Sequence, residues 1–409
     1  MLEWKRSRKV LLCVTGGIAA YKIPDLVSRL KKLDCEIETV MTRAAETLVS
    51  PLAISTLSGR RVWLEDDFLS SERGFEIPHI SLADWAEVVV TAPCTANTAF
   101  GAAHGRAASI VEAALLATRA PILLFPAMNV HMFDNPATRN NLSILAKRGV
   151  RVVDPEFGVL ACGYEGKGRL PDTGIILEEI FRALSPRRDM AGKRVLVTAG
   201  PTREYLDPAR FISNPSSGKM GLAMARTAWY RGAEVRVILG PVPPVALEKT
   251  HGLEICRVVS ALEMRDAVME NLDWANCVVK AAAVGDYRAS HMAGHKIKRE
   301  ITQGSGSNLT LTLEQNPDIA AEIGNAKCSG QFLIGFAAET NDLVKNARAK
   351  MERKGLDLIL ANDISEPIVG FGSDFNTLRM ISRVGGDTTI SGSKEEVADA
   401  VWEKTIGLF

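Results

Sequence analysis

The chain has 409 residues, enough for two hydrophobic cores, and this length predicts two domains. Its 49 Lys and Arg residues balance 48 Asp and Glu residues, so the net charge of +1 provides no general attraction to nucleic acid or to an anionic membrane. The 7 cysteines are scattered without a CxxC pair, which argues against a zinc site or disulfide framework and favours a reduced, cytoplasmic protein. Charges and prolines interrupt the longest apolar region, 107–130, so we expect no membrane span.

The first half alternates apolar runs with helical spacing. VLLCVTGG (10–17) predicts a buried strand that ends in a glycine turn, and residues 18–34 follow as a helix. Further strands are predicted at 36–42, 86–93, 121–128 and 150–155. This alternation indicates an α/β fold with a parallel sheet that is covered on both faces.

The pattern restarts after the polar segment 185–193, so we expect one domain at 1–188 and a second at 189–409. RVLVTAGPT (194–202) is again a strand with a glycine turn. More strands are predicted at 233–241, 253–258, 277–284, 331–339 and 356–363. The predicted fold class is therefore two doubly wound, Rossmann-like α/β domains. Residues 285–312, rich in Gly, Ser, His and Lys, are expected to form an exposed arm or flap.

Three glycine-containing turns have the form of phosphate sites. TGGI (15–18), TAGPT (198–202) and RFISNPSSGKMG (210–221) each lead from a strand towards a helix, whose free N–H groups suit a phosphate. None is a complete G-x-G-x-x-G, and such turns also occur merely to reverse the chain.

Several polar residues at strand ends or in loops are candidates for chemistry. In the first half these are His79 before a helix, Asn129 after a strand, and Cys162 in the glycine-rich GVLACGYEGKGRLPD. A structural histidine, a turn-forming asparagine and a chance loop cysteine are the plain alternatives.

The second half offers a carboxylate and several cations. They are Asp286 in KAAAVGDYR, the basic KIKR (296–299), and Lys350 with Lys354 on one helical face. Each basic group alone also fits a solvated surface.

Taken together in order and spacing, the motifs resemble a known enzyme family. The first half is similar to flavin-dependent phosphopantothenoylcysteine decarboxylases and the second to phosphopantothenate-cysteine ligases, as in the bacterial bifunctional enzymes of coenzyme A synthesis. The motifs are TGGIAAYK, PHISLADWAE, APCTANT, PAMNVHMFDNPAT, GVLACGYEGKGRLPD, VLVTAGPTREYLDPARFISNPSSGKMG, KAAAVGDYR, KIKR, NPDI and GFAAET.

For the second half, the resemblance implies a ligase that joins 4'-phosphopantothenate to cysteine with CTP and Mg²⁺, through an acyl-cytidylate. It implies that Lys296 spreads the triphosphate charge with support from Lys350 and Lys354, that Asp286 faces the ribose or the metal, and that Asn214 holds the intermediate. The implied cytidine site comprises Lys280, Ala281, Ala282, Asn316, Pro317, Asp318, Ile319 and Phe336.

For the first half, the resemblance implies a flavodoxin-like domain that binds FMN and decarboxylates the ligase product to 4'-phosphopantetheine. It implies that His79 transfers protons and that Asn129 binds the substrate carboxylate. It also implies that Cys162, on a flap, completes the last step. The implied FMN contacts are Gly16, Gly17, Ile18, Ala19, Thr95 and Asn97. Homo-oligomers are also implied, with trimers of the N-terminal domains and dimers of the C-terminal domains.

The sequence departs from the family pattern at GRAASIVE (105–112) and at Phe133. This leaves open a ligase fused to an impaired decarboxylase. A second alternative is a nicotinamide-dependent two-domain oxidoreductase, but neither half has the full glycine fingerprint of that class. A third is a non-catalytic nucleotide-binding module, which would leave Cys162, Asn214 and Lys296 without a function.

Overall fold

The computed structural model describes residues 2–68, 77–298, 309–339, 343–363, 373–383 and 386–409. These residues form two compact units, one of residues 3–186 and one of 187–409 together with the first two residues. Each unit has its own sheet and its own buried core.

The N-terminal unit is built on a six-stranded parallel sheet in the order β3-β2-β1-β4-β5-β6. Its strands are β1 (Lys9–Val14), β2 (Glu36–Met41), β3 (Val62–Trp63), β4 (Val88–Cys94), β5 (Ile122–Pro126) and β6 (Arg151–Val152). A separate antiparallel hairpin joins β7 (Glu156–Val159) to β8 (Glu165–Arg169). The strand predicted at 150–155 is thus confined to two residues.

Helices flank this sheet and bury apolar side chains against it. They are α1 (Ile23–Lys31), α2 (Arg43–Glu46), α3 (Pro51–Ser58), α4 (Pro78–Trp85), α5 (Ala96–His104), α6 (Ile110–Ala117), α7 (Val130–Asp134), α8 (Pro136–Lys147) and α9 (Thr173–Leu184). The helix predicted from residue 18 begins instead with a 3₁₀ turn, Ile18–Lys22. Pro24 then stands in the first turn of α1, where its missing N–H costs no hydrogen bond.

The C-terminal unit has an eight-stranded sheet in the order β13-β12-β9-β14-β17-β18-β19-β20. The pairs up to β18 are parallel, and the last two strands are antiparallel. The strands of this sheet are β9 (Arg194–Ala199), β12 (Glu234–Leu239), β13 (Glu254–Arg257), β14 (Cys277–Lys280), β17 (Phe332–Glu339), β18 (Leu358–Asp363), β19 (Phe375–Ser382) and β20 (Thr388–Ser393).

Two small antiparallel ribbons accompany this sheet. One pairs β10 (Arg203–Asp207) with β11 (Arg210–Ser213), and the other pairs β15 (Tyr287–Ala289) with β16 (Leu313–Gln315). The helices are α10 (Lys219–Tyr230), α11 (Ala261–Asn271), α12 (Ile319–Ala326), α13 (Leu343–Arg353) and α14 (Lys394–Thr405). The arm predicted at 285–312 therefore includes two short strands, while residues 299–308 lie outside the described residues.

The strand orders place a switch point in each unit. The chain leaves β1 towards β2 on one side and returns through β4 on the other, and β9 and β14 are related in the same way. Doubly wound sheets bind ligands in the crevice at the carboxyl ends of such strands. The turn at Gly16 and the segment after Lys280 lie at these two points.

Candidate functional site

In the N-terminal unit, the glycine turn after β1 packs against the end of β4. The Thr15 hydroxyl donates to the Pro93 carbonyl over 2.7 Å and accepts from the Thr95 backbone N–H over 3.2 Å. A Cβ at Gly16 would collide with Ala44, and one at Gly17 would lie 3.3 Å from Pro93 Cγ. The close packing requires glycine at position 16 and leaves the backbone of the turn beside the start of α5.

The predicted FMN contacts lie at this edge of the sheet. Ile18 is 61% exposed after the turn. Thr95 caps α5 by accepting from the Thr98 N–H, and Asn97 Oδ1 accepts from the Arg106 side chain over 3.1 Å. A turn with accessible backbone and a helix N-terminus suits the phosphate of a flavin mononucleotide.

His79 lies in the first turn of α4, and one of its ring nitrogens is buried. Its Nδ1 is buried and has no hydrogen-bond partner among the described residues, while the ring meets Phe68 edge-on at 5.2 Å. A buried polar atom without a partner is uncommon in native proteins, and a bound ligand is one way to satisfy it. The residues of this unit therefore fit a bound group near His79.

Asn129 and Cys162 are brought into contact although they are far apart in sequence. Asn129 follows β5 and caps α7, and Cys162 lies in the turn between β7 and β8. The Asn129 Nδ2 donates to the Cys162 Sγ over 3.2 Å, and this hydrogen bond lowers the pKa of the exposed thiol, with a further backbone contribution from Tyr164. No contact joins His79 to this pair in the described part of the chain.

The hairpin that carries Cys162 packs closely on α7. A Cβ at Gly166 would lie 2.6 Å from Val130, and one at Gly168 would collide with the Met128 carbonyl. The Met128 N–H also donates to the Gly168 carbonyl over 3.0 Å. The glycines therefore permit the hairpin to lie against the segment that contains Asn129.

The two departures from the family pattern are absorbed by packing within this unit. Phe133 is 1% exposed in an apolar cluster with Leu124 and Leu142. Glu112 is 3% exposed and accepts three hydrogen bonds from the Arg106 guanidinium and one from the Ala108 N–H. The acid of GRAASIVE thus forms an internal ion pair with its own segment.

In the C-terminal unit, a cavity of about 540 Å³ lies at the carboxyl ends of β14 and β17. It brings together all the residues predicted for the ligase site except Lys296. Those residues are Asn214, Lys280, Ala281, Ala282, Asp286, Asn316, Pro317, Asp318, Ile319, Phe336, Lys350 and Lys354.

Three lysines converge on one part of this cavity. Lys280 Nζ donates to the Ala282 carbonyl over 3.1 Å, and Lys350 Nζ donates to the Phe336 carbonyl over 3.3 Å. Lys354 is paired with Asp318 over 3.0 Å. Burial lowers the pKa of Lys280 to about 7, with Lys354 and Lys350 adding to the effect. Such a cluster is suited to an anionic ligand.

Amide side chains hold the loop around Asp286. Asn316 is 7% exposed, and its Nδ2 donates to the Gly285 carbonyl over 2.8 Å while its backbone N–H donates to the Asp286 carbonyl. Asn214 Nδ2 donates to the carbonyls of Ala283 and Val284 over 3.3 and 3.1 Å. These bonds fix the wall of the cavity in which Asp286 lies.

Lys296 is exposed and does not line the cavity, but its neighbour is anchored. The fully buried Asp207 accepts from the backbone N–H groups of Ala209, Arg210 and Ile297. Burial alone would raise the pKa of Asp207, but these hydrogen bonds and the Arg210 guanidinium lower it overall. Sequence reasoning missed this residue. Arg299, the last residue of KIKR, lies outside the described residues.

Two further cavity residues, Lys394 and Asn376, belong to no motif singled out in the sequence. They enter the site through β19 and the start of α14, so only the fold reveals them. Among the described residues no group of three or more potential metal ligands occurs, and none of their helices is long and apolar enough to cross a membrane.

Two family models match the chain, one for each unit. Residues 2–185 match the family described as Flavoprotein. Residues 190–408 match the family described as DNA/pantothenate metabolism flavoprotein C-terminal domain.

Full-length relatives cover both units. The chain is 42% identical to the coenzyme A biosynthesis bifunctional protein CoaBC of Escherichia coli (strain K12) over 391 residues, which is 96% of this chain and 94% of that protein. It is also 42% identical to the protein of the same name from Bacillus subtilis (strain 168), over 93% of this chain and 91% of that one. A crystal structure of the C-terminal domain of a CoaBC protein is 34% identical and covers 54% of this chain and 97% of that one, with a TM-score of 0.44.

Proposed function

This chain belongs to the family of coenzyme A biosynthesis bifunctional proteins CoaBC, and from that premise we propose which of its residues carry each step. The protein is a bifunctional enzyme of coenzyme A biosynthesis, a phosphopantothenate-cysteine ligase and an FMN-dependent phosphopantothenoylcysteine decarboxylase. The family relationship does not favour the nicotinamide-dependent oxidoreductase or the impaired decarboxylase. We assign decarboxylation to residues 1–188 and ligation to residues 189–409.

The ligase step takes place in the cavity of the C-terminal unit. The carboxylate of 4'-phosphopantothenate attacks the α-phosphorus of CTP, pyrophosphate leaves, and the amine of cysteine then displaces CMP from the acyl-cytidylate. The convergence of Lys280, Lys350 and Lys354 supports this assignment, because cations that face a developing phosphate charge stabilise the transition state.

The other cavity residues position the nucleotide and the intermediate. Residues 280–282 and 316–319 hold the cytidine, and Phe336 packs on the base. Asn214 binds the acyl-cytidylate from the cavity wall, where its side chain donates to the Ala283 and Val284 carbonyls. Lys296 reaches the triphosphate from the exposed segment that is anchored at Ile297.

Magnesium would be carried into this cavity by the nucleotide phosphates. A Mg²⁺ ion that is held by substrate phosphates needs only one or two carboxylates from the protein. Asp286 lines the cavity and can provide one of them. We therefore assign the metal contact to Asp286.

The decarboxylase step takes place in the N-terminal unit. A bound FMN would supply the electron sink for loss of carbon dioxide and the electrons for the final reduction. Gly16, Gly17, Ile18, Ala19, Thr95 and Asn97 contact this group, and His79 handles the proton nearby. Asn129 binds the substrate carboxylate. The Cys162 thiol, whose pKa is lowered, delivers the proton that completes the reduction of the enethiol.

The assembly and location are proposed from the family resemblance. We assign trimers to the N-terminal domains and dimers to the C-terminal domains, in the cytoplasm. Exposed apolar side chains next to the glycine turn, Ile18 at 61% and Tyr21 at 64%, support a contact between copies at that edge. Light scattering on the full-length protein and on each domain alone measures the molecular mass, and so the oligomeric state, of each.

The observation that carries the proposal is that one cavity contains the predicted ligase residues other than Lys296. We would incubate the protein with 4'-phosphopantothenate, cysteine, CTP and magnesium and follow the products by mass spectrometry. Formation of 4'-phosphopantetheine is expected. Accumulation of the carboxylated product would show an inactive decarboxylase, and no product at all would contradict both assignments.

A further inference from the structure

Lys280, the last residue of β14, bonds to the same short segment as Asn214. The Lys280 Nζ donates to the Ala282 carbonyl over 3.1 Å. The Asn214 Nδ2 donates to the next two carbonyls along the chain, over 3.3 and 3.1 Å. Both side chains line the ligase cavity. The amine of Lys280 therefore lies on the same part of the cavity wall as the residue to which the acyl-cytidylate is assigned.

Lys280 has no carboxylate partner, although it lies among charged groups. Within the described residues its Nζ bonds to the neutral Ala282 carbonyl and forms no ion pair. Burial lowers the pKa of Lys280 to about 7, and the facing Lys354 and Lys350 add to the effect. Asp318 and Asp286 oppose it only in part. Near neutral pH a large share of Lys280 is thus an unprotonated amine, which can accept a proton.

The two acids of the cavity are less suitable as bases. Burial alone would raise the pKa of Asp318, but its ion pair with Lys354, at 3.0 Å, and a backbone N–H lower the pKa overall. Asp286 is assigned to the metal ion. A carboxylate that is held by cations accepts a proton poorly.

The bonds of the other lysines lead to other segments. Lys350 donates to the Phe336 carbonyl on β17, and Lys394 donates to the Ser373 carbonyl before β19. The bond of Lys280 lies instead on the segment that binds Asn214. This placement distinguishes Lys280 among the lysines of the cavity.

The second half of the ligase reaction needs a base. Free cysteine is mainly an ammonium ion near neutral pH, and this form has no lone pair with which to attack the acyl carbon. Departure of pyrophosphate removes negative charge from the cavity, so the ammonium form of Lys280 loses stabilisation. The neutral amine is therefore favoured when cysteine reacts.

We propose that the amine of Lys280 is the base that takes a proton from the ammonium group of cysteine in this step. The proposal rests on the ligase function given above. The released lone pair of the cysteine nitrogen forms the bond to the acyl carbon, the bond from that carbon to the phosphate oxygen breaks, and CMP leaves with its electron pair. The nitrogen loses a second proton to water as the amide forms, and Lys280 then returns its own proton to water.

The variant K280R separates this role from the positive charge of the side chain. Arginine keeps the charge that attracts CTP but cannot act as a base near neutral pH. With CTP, magnesium and 4'-phosphopantothenate alone, full-length K280R should release pyrophosphate in a single turnover near the wild-type rate. When cysteine is added, amide formation should be slower by about 100-fold or more, and mass spectrometry should detect accumulated acyl-cytidylate.

A nucleophile that needs no base gives the sharpest comparison. Hydroxylamine is largely unprotonated near neutral pH and converts the acyl-cytidylate to a hydroxamate. Wild type and K280R should form this hydroxamate at similar rates. An equally slow reaction of K280R with hydroxylamine would overturn the proposal, because Lys280 would then orient the intermediate. Wild-type rates of amide formation in K280R would overturn it too.

The pH dependence provides an independent measurement. Amide formation by the wild type should rise with pH and level off above about 7, where Lys280 is mostly unprotonated. In K280R it should continue to rise by roughly tenfold per pH unit, because only cysteine that is already deprotonated reacts. Identical profiles of the two proteins would contradict the proposal.

The matched control is K404R. Lys404 is exposed in the last turn of α14 and does not line the cavity, so every rate of K404R should equal that of the wild type. Pyrophosphate release shows that the ligase site of K280R is folded. If K280R released pyrophosphate as slowly as it formed amide, Lys280 would act through charge or folding, and the proposal would fail while the ligase function stood. Absence of pyrophosphate from the wild type would contradict the ligase function itself, and this proposal with it.

Discussion

The side-chain amide of Asn129 donates to the Cys162 sulfur over 3.2 Å, which joins the end of β5 to the turn of the β7–β8 hairpin. The bond stabilises the thiolate relative to the thiol and so lowers the pKa of Cys162. The sequence offered these two residues as separate candidates. Their contact makes the Cys162 thiol more acidic than an ordinary cysteine.

Replacement of Asn129 should change the chemistry of Cys162. In N129A the thiol loses its main hydrogen-bond donor, so its pKa should rise and its alkylation by iodoacetamide should require higher pH. Peptide mass spectrometry resolves this reaction from that of the exposed Cys256 and Cys328, which serve as internal controls. An unchanged pH profile at Cys162 would show that the bond does not set its acidity.

Replacement of Cys162 should separate loss of carbon dioxide from the final reduction. C162S retains a hydroxyl of similar size that is far less acidic, so we expect decarboxylation to proceed and proton delivery to fail. Mass spectrometry should then detect a product lighter than 4'-phosphopantetheine by two hydrogens. Pyrophosphate release should be unaffected, as it should be in the control C256S. Normal formation of 4'-phosphopantetheine by C162S would remove the thiol from the mechanism.

The parallel strands were predictable because their residues are apolar on both faces. VLLCVT and the strand that ends at Lys280 are buried almost throughout, and the glycines after β1 and β9 mark where each strand ends. The hairpin of β7 and β8 gave no such signal. Its buried positions are Gly166 and Gly168. These glycines allow the hairpin to pack closely on α7 but add no apolar side chain that a sequence pattern could reveal.

The candidate sites were predictable only where the residues lie in local motifs. Asn214 and Asp286 each lie in a loop at a strand end, which is visible in the sequence. Lys394 reaches the cavity because β19 and β20 extend the sheet and return the chain beside α10, a relationship between distant segments. Asp207 was missed for a similar reason, since its partner Ile297 lies 90 residues away.

Phe133 should matter for stability more than for flavin binding. It is buried among Cys94, Leu124 and Leu142, so F133A leaves a cavity and should cost about 3–5 kcal/mol in the free energy of urea unfolding. F133L fills most of that space and should cost less. The FMN content of folded F133L should equal that of the wild type. Loss of flavin from a stable F133L would place the ring in the FMN site.

Asp207 should couple folding to the ligase reaction. D207N weakens the acceptor for three backbone N–H groups, so the thermal unfolding midpoint should fall at pH 7 and the ligase kcat should fall as Lys296 loses its anchored neighbour. The native pKa of Asp207 is below its ordinary value of about 3.9. The stabilisation that the Asp207 carboxylate provides is therefore fully present above its ordinary pKa and is lost as the pH falls through its native pKa. The deficit of D207N should shrink in acid. The exposed Asp266 provides the control D266N, and equal effects of both variants would contradict this role.

Lys280 should make CTP binding depend on pH. Its pKa of about 7 reflects burial and the facing Lys354 and Lys350, which Asp318 and Asp286 offset only in part. The protonated form attracts the triphosphate, so wild-type affinity should fall as the pH rises from about 6 to about 8. K280M should bind CTP about tenfold more weakly at the lower pH, a loss of about 1.4 kcal/mol, and should show a flatter profile.

The same lysine should destabilise the protein in the absence of nucleotide. A native pKa below the ordinary value of about 10.4 means that folding disfavours the ammonium form, and this penalty is complete below pH 7 and fades as the pH rises towards that ordinary value. K280M should therefore unfold at a higher temperature than the wild type at pH 7, and the difference should narrow at higher pH. Calorimetry with and without CTP measures both effects, with K404M as the control. A K280M protein that is less stable at pH 7 would show that the lysine is a structural group.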